Sequence, residues 1–195
     1  KATPPQPCRI TLLQAIPKGK IIESIIQKAT ELGASCIVPL LSERTAIHLG
    51  SGEASAKAEK WRLTAIEAVK QCGNPWLPQI EPPLTPDDFL ARSEPFDLAL
   101  IASLQPDSRH PRQYLQAFLR KHGRTPHTVC VWVGPEGDFT PKEMAAIKTA
   151  GTLPITLGPL ILRSETAAIY CLSILNYELT DDQERAKDIR LGTTT

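Results

Sequence analysis

Residues 129–143 read VCVWVGPEGDFTPKE, and residues 153–168 read LPITLGPLILRSETAA. In each stretch an apolar run meets a Gly-Pro and then opens into a helical pattern. Val129 to Val133 reads as a strand buried on both faces. Thr140-Pro141-Lys142-Glu143 then opens a helix, with a threonine cap, proline first and glutamate third. Leu153 to Leu157 reads as the last strand. Ser164 to Leu179 reads as the last helix, with Ala167, Ala168, Cys171, Leu172, Leu175 and Leu179 facing inward. Two such strand-to-helix loops can lie side by side and offer backbone groups to one ligand. Gly134 and Gly137 permit close backbone approach. Leu160, Ile161 and Leu162 are apolar residues in a loop, suited to wall a flat, uncharged ring such as adenine. Taken singly, the first stretch also reads as an ordinary turn with a capping box, and the second as a helix start capped by Ser164. Neither is a phosphate loop, because no G-x-x-x-x-G-K or G-x-G-x-x-G is present.

The same alternation runs through the chain. Arg9 to Ala15 reads as a strand, and Pro17-Lys18-Gly19 as a turn. Ile22, Ile25, Ile26, Ala29 and Leu32 recur at helical spacing before Gly33. Cys36 to Leu41 is a short buried strand, followed by a small polar loop, Leu49 to Ser55. Ala58, Trp61, Ala65, Ala68, Val69 and Cys72 mark a helix stopped by Gly73-Asn74-Pro75. The proline-rich stretch Pro78 to Pro86 holds at most one short strand. Asp97 to Ala102 is a strand, and Tyr114 to Leu119 lies on a helix. Strands alternating with helices predict an α/β domain: a mostly parallel sheet with helices on both faces and a ligand at the strands' C-terminal ends.

The 195 residues suit one domain, 42% of them hydrophobic, with a net charge of +1. That balance excludes a protein that binds nucleic acid through overall charge. No apolar run approaches the length of a membrane span. Residues 1–8 read as a linker or truncation scar, residues 9–180 as the domain, and residues 181–195 as a polar tail with a disordered end. The five cysteines are scattered and odd in number, as expected of buried free thiols in a reducing, cytoplasmic setting. The four histidines share no metal-ligand spacing, so no metal is assigned.

The two opening stretches resemble the ribosomal RNA small-subunit methyltransferase E family of the SPOUT superfamily. The agreement lies at Gly134 to Gly137, Phe139, Glu143, Leu157, Gly158, Ile161 to Arg163 and Glu165 to Ala167. Further blocks agree at Gln27 to Gly33, Val38 to Leu40, Ser42 to Arg44, Trp61, Ala65 to Ala68 and Gln71 to Gly73. The resemblance covers roughly residues 8 to 179. It implies a SPOUT-type trefoil-knot methyltransferase domain binding S-adenosylmethionine through Leu104, Gly134, Pro135, Gly137, Leu157, Gly158, Leu160 and Leu162. It further implies methylation of uridine N3 in small-subunit rRNA, a homodimer built on the knot and last helix, and an N-terminal PUA-like RNA-binding barrel preceding residue 1. Another RNA target, a ribose 2′-hydroxyl acceptor and a non-catalytic binding module stay open. Two positions depart from the family pattern: Leu160 stands where arginine is frequent, and Asp138 where glycine is usual.

Uridine N3 is a weakly acidic imide and attacks as its anion. The chemistry therefore needs a base or a group that stabilises that anion. Arg163 is the candidate for the anion or a phosphate, with Glu165 and Glu136 as base or loop anchor. For RNA, residues 108–135 lack Asp and Glu and carry Arg109, Arg112, Arg120, Lys121 and Arg124. Arg44 is a further candidate.

Overall fold

Arg9–Ala15 alternates side chains onto two buried faces, and it lies near the middle of the sheet as β1. The computed structural model describes Gln6, residues 8–45 and residues 52–191, with the side chains of the last helix described as far as Leu179. The elements run β1, α1 (Ile21–Glu31), β2 (Cys36–Leu40), α2 (Glu53–Cys72), β3 (Gln79–Ile80), α3 (Pro86–Ala91), β4 (Leu98–Ala102), α4 (Pro111–His122), β5 (Thr128–Val133), α5 (Pro141–Thr149), β6 (Leu153–Ile155) and α6 (Ser164–Leu191). The six strands pair in parallel in the order β3-β2-β1-β5-β4-β6.

Period-two alternation divides the core into two layers. Ile10, Leu12, Val129 and Val131 meet α1, α4 and α6 on one face. Leu13, Ala15, Cys130 and Trp132 meet α3 and α5 on the other. There Trp132 packs edge-on against Phe89, with ring centroids 5.4 Å apart. α2 lies outside α1, held by Trp61 and Ala65.

β6 sits on the outer side of β4, and its other edge is bridged by Arg109 of the loop leaving β4. Arg109 N–H donates to Pro154 O, and Thr156 N–H donates to Arg109 O. That loop therefore crosses over the end of β6. The chain leaving β6 passes under it to reach Ser164, whose hydroxyl donates to Gly134 O at 2.7 Å. This path matches the trefoil knot that the resemblance implies, and it joins the two opening stretches side by side.

Several boundaries differ from expectation. α3 was not expected: Thr85 and Asp88 form a capping box over a six-residue helix with Phe89 buried beneath it. α2 begins at Glu53, inside the expected loop, and residues 49–51 of that loop lie outside the described residues. α6 continues to Leu191 rather than giving way to a tail at 181, and residues 192–195 lie outside the described residues. So does the expected linker, apart from Gln6 and Cys8. Cys8, Cys130 and Cys171 are buried and Cys36 half-buried, whereas Cys72, in the last turn of α2, is exposed. Burial pushes the Cys8, Cys36, Cys130 and Cys171 thiols up to about 12, so they stay protonated and unreactive.

The α5 start agrees with its sequence. Thr140 Oγ1 accepts from Glu143 N–H, and Glu143 Oε2 accepts from Thr140 N–H at 2.9 Å. Thr140→Ala is expected to cost about 1 kcal/mol of stability. Urea denaturation with an unchanged midpoint would contradict this cap.

Candidate ligand site at the ends of β4, β5 and β6

Three loops leave the same end of the sheet and enclose a cavity of about 310 Å³. Ser103 and Leu104 follow β4, residues 134–138 follow β5, and residues 157–162 follow β6, with Ser164 and Ala167 closing the side. Leu104, Gly134, Pro135, Gly137, Leu157, Gly158, Leu160 and Leu162, the eight residues expected at a ligand, all line it. Leu104, Leu160 and Ile161 stay 61%, 71% and 81% exposed at its mouth. A loop that leaves leucine and isoleucine in water presents an apolar surface to something else.

The turn after β5 explains its own residues. Asp138 N–H donates to Pro135 O, and Asp138 takes a left-handed φ of 61°. Aspartate tolerates that conformation when its side chain bonds locally, and Asp138 Oδ1 accepts from Phe139 N–H at 2.8 Å. The same carboxylate then lies 2.9 Å from where a Cβ on Gly134 would be, so any side chain at position 134 would force Asp138 to shift. Gly158 has φ +107°, the second place where the cavity backbone needs glycine.

Loops from β1 and β2 clamp this turn from outside. Lys18 N–H donates to Glu136 Oε1 at 3.0 Å, and Arg44 Nη1 donates to Gly137 O. Glu143, 5% exposed, accepts from Glu43 N–H at 2.9 Å as well as from Thr140. Glu136 is thus already engaged as an anchor between loops, though it lines the cavity. Arg163 and Glu165 stand just outside the lining, and neither side chain has a polar partner among the described residues. Ser164 does not act as the helix cap that its position suggested. Its hydroxyl accepts from Gln14 Nε2 and is spent on Gly134 O. Gln14, absent from the sequence expectations, reads in one dimension as an ordinary polar residue in a strand.

The expected basic patch divides. Arg112 pairs with Glu178, Nε to Oε1 at 2.8 Å, and Arg124 grips both oxygens of Asp97 at 2.9 Å. A window without acidic residues is thus neutralised by carboxylates that the fold brings from 66 and 27 positions away. Arg109 lies in the loop over β6, bridged to Ile155. Arg120 and Lys121 are exposed in the last turn of α4. That helix runs back from the cavity end, so they lie roughly 14–15 Å from its start. Among the described residues no His/Cys/Asp/Glu group could hold a metal ion, and no helix is long and apolar enough to cross a membrane.

A model of the RNA methyltransferase domain matches residues 4–176. A Bacillus subtilis protein, ribosomal RNA small subunit methyltransferase E, is 30% identical over 172 residues, 88% of this chain and 67% of that one. The chain belongs to the ribosomal RNA small subunit methyltransferase E family. A Synechocystis member is 36% identical over 171 residues. The chain spans 54% of that member's length. Among solved structures, a Legionella pneumophila methyltransferase in complex with its bound cofactor SAM superposes with a TM-score of 0.78 at 36% identity. It covers 88% of this chain and 67% of the other. The Neisseria gonorrhoeae methyltransferase E bound to S-adenosyl methionine gives 0.74 at 28%, covering 88% and 66%. Family and fold thus agree with the resemblance read in the two opening stretches.

Two outcomes are expected. Gly134→Ala forces its Cβ against Asp138 and is expected to destabilise the chain by about 1–3 kcal/mol in urea; an unchanged midpoint would refute the close approach. Asp97 is held well below the usual carboxylate range, first by the hydrogen bonds from Arg124 and then by the backbone N–H of His127. Its folded value lies below its unfolded value, so its contribution is full above about pH 4 and is lost as pH falls through the folded value. Asp97→Asn should therefore flatten the acid limb of a stability–pH curve, and an unchanged limb would refute the assignment.

Proposed function

We propose that this chain is the methyl-transferring part of a small-subunit rRNA methyltransferase, binding S-adenosylmethionine in the β4–β5–β6 cavity and methylating N3 of a uridine. The observation that carries the reading is the convergence of eight expected ligand residues on one cavity in a family whose solved members hold this cofactor. The lining fits the group. Leu104, Leu157, Leu160 and Leu162 suit a flat, uncharged ring, and the backbones of Gly134 and Gly158 are bare of side chain. Glu136 and Asp138 bring negative charge to the same lining, which suits a cationic centre. When bound, the cofactor supplies an electrophilic methyl group.

The chain's own task is to align the acceptor and manage one proton. Arg163, exposed beside the cavity and free of a carboxylate partner among the described residues, is placed to stabilise the uracil anion at a flanking carbonyl oxygen. Glu165, half-buried two residues on, is the remaining candidate to take the N3 proton, since Glu136 is engaged with Lys18. Arg44, bonded to the Gly137 carbonyl, and Arg109, in the loop bridged to β6, are the candidates for RNA phosphate. Arg120 and Lys121 lie at the other end and would meet a different stretch of the same RNA. The target uridine must be unpaired or flipped out to reach the site.

A homodimer and a cytoplasmic setting belong to the same proposal. α6 leaves Tyr170 and Tyr177 exposed seven residues apart on one stripe, in the helix that the exposed Ile161 segment leads into. Light scattering should give twice the chain mass, and a monomer would remove the dimer from the reading.

Arg163→Ala should retain S-adenosylmethionine binding by calorimetry and lower single-turnover methylation about 10²–10³-fold. Unchanged turnover would sink the role of Arg163. Mass spectrometry of rRNA from cells lacking the gene should show 3-methyluridine missing; its persistence would refute the acceptor.

A further inference from the structure

We infer that Gln14 is a positioning residue for the cavity, acting through the Ser164 hydroxyl on the carbonyl of Gly134. This rests on the reading of the cavity as the S-adenosylmethionine site. Gln14 shares its face of β1 with Leu12 and is fully buried beneath the start of α6. A carboxamide there is unfavourable unless its groups are bonded. Gln14 Nε2 donates to Ala15 O at 2.8 Å and to Ser164 Oγ at 2.9 Å. Gln14 Oε1 is buried without a partner among the described residues. The amide orientation is fixed chemically: Ala15 O accepts only, so the NH₂ group must face it. The site tolerates one unsatisfied oxygen in order to point two N–H groups in defined directions.

The N–H aimed at Ser164 decides where the serine proton goes. A serine hydroxyl has one proton. Accepting from Gln14, Ser164 must turn that proton to Gly134 O, 2.7 Å away. The β1–β5 ladder ends at the pair Gln14–Val133, one residue before Gly134. Past that point no β1 partner holds the β5 chain, and the Gln14–Ser164–Gly134 relay takes over. Ser164 and Gly134 both line the cavity, while Gln14 does not. Residues 150 positions apart thereby fix the relative placement of two cavity loops, and the amide sets the polarity of the whole relay.

The test is a double-mutant cycle on the full chain, with S-adenosylmethionine affinity read by calorimetry and stability by urea denaturation. Gln14→Met keeps length and apolar bulk but removes the donor; it should weaken binding about tenfold. Ser164→Ala should do the same, and the double variant should be no worse than either single one. Ser164→Thr, which keeps the hydroxyl, should stay within about twofold of wild type. Should Gln14→Met not fold, Gln14→Asn decides: it keeps a neutral amide but is one methylene too short to reach both Ala15 O and Ser164 Oγ, and it too should bind about tenfold more weakly. Wild-type affinity in the Gln14 variants, or fully additive losses in the double variant, would overturn the relay. A wild type that does not bind S-adenosylmethionine would instead sink the proposed function, while the urea cycle would still measure Gln14–Ser164 coupling.

Discussion

The chain must return from the sheet edge at β6 to the sheet centre, where α6 packs beneath β1 and β5. Everything at the cavity depends on that one crossing. The β4 loop lies over the return path, pinned to β6 on both sides of Arg109. The returning segment cannot pair with a strand and cannot bury all its side chains, so Leu160 and Ile161 remain outside. What would be a defect elsewhere becomes the apolar wall of a ligand site. The hydroxyl of Ser164 ends the crossing by fastening it to the first carbonyl beyond β5.

Around this crossing the charges are arranged conservatively. Exposed ion pairs such as Lys60–Glu23 and Lys148–Asp107 contribute little individually. The buried carboxylate of Glu143 does more, because it joins the β2 loop to the helix after the cavity turn. The clamps from Lys18, Glu43 and Arg44 reach the 134–143 segment from the side opposite the crossing. The β5–α5 turn is thus held from two directions, by α6 within and by the β1 and β2 loops without.

Much of this was legible in sequence, and for local reasons. The capping box at Thr140 and the doubly apolar β5 are patterns of neighbours, and they stand where they were read. α3 escaped because a six-residue helix in a proline-rich stretch has too few turns to show a period. The threading itself has no periodic signature and entered through family resemblance. The pairing of the basic patch was not legible, because Glu178 and Asp97 become neighbours of Arg112 and Arg124 through the fold alone. Gln14 was invisible for the same reason: its partner is 150 residues away. The eight cavity residues came with the family resemblance; the glycines, prolines and apolar loop residues at strand ends had by themselves indicated only a ligand cradle.

The crossing also orders events in time. An all-parallel sheet forms slowly, since each strand must wait for a distant partner. Here the segment after β6 must further pass beneath a loop that exists only once β4 and β5 are in register, or that loop must close over it. Either route leaves the cavity for last, because its three walls come from both sides of the crossing. A chain whose segment 157–167 has not returned lacks one wall of the site. Ligand-binding capacity in a refolding mixture should therefore follow the completed crossing rather than the folded sheet.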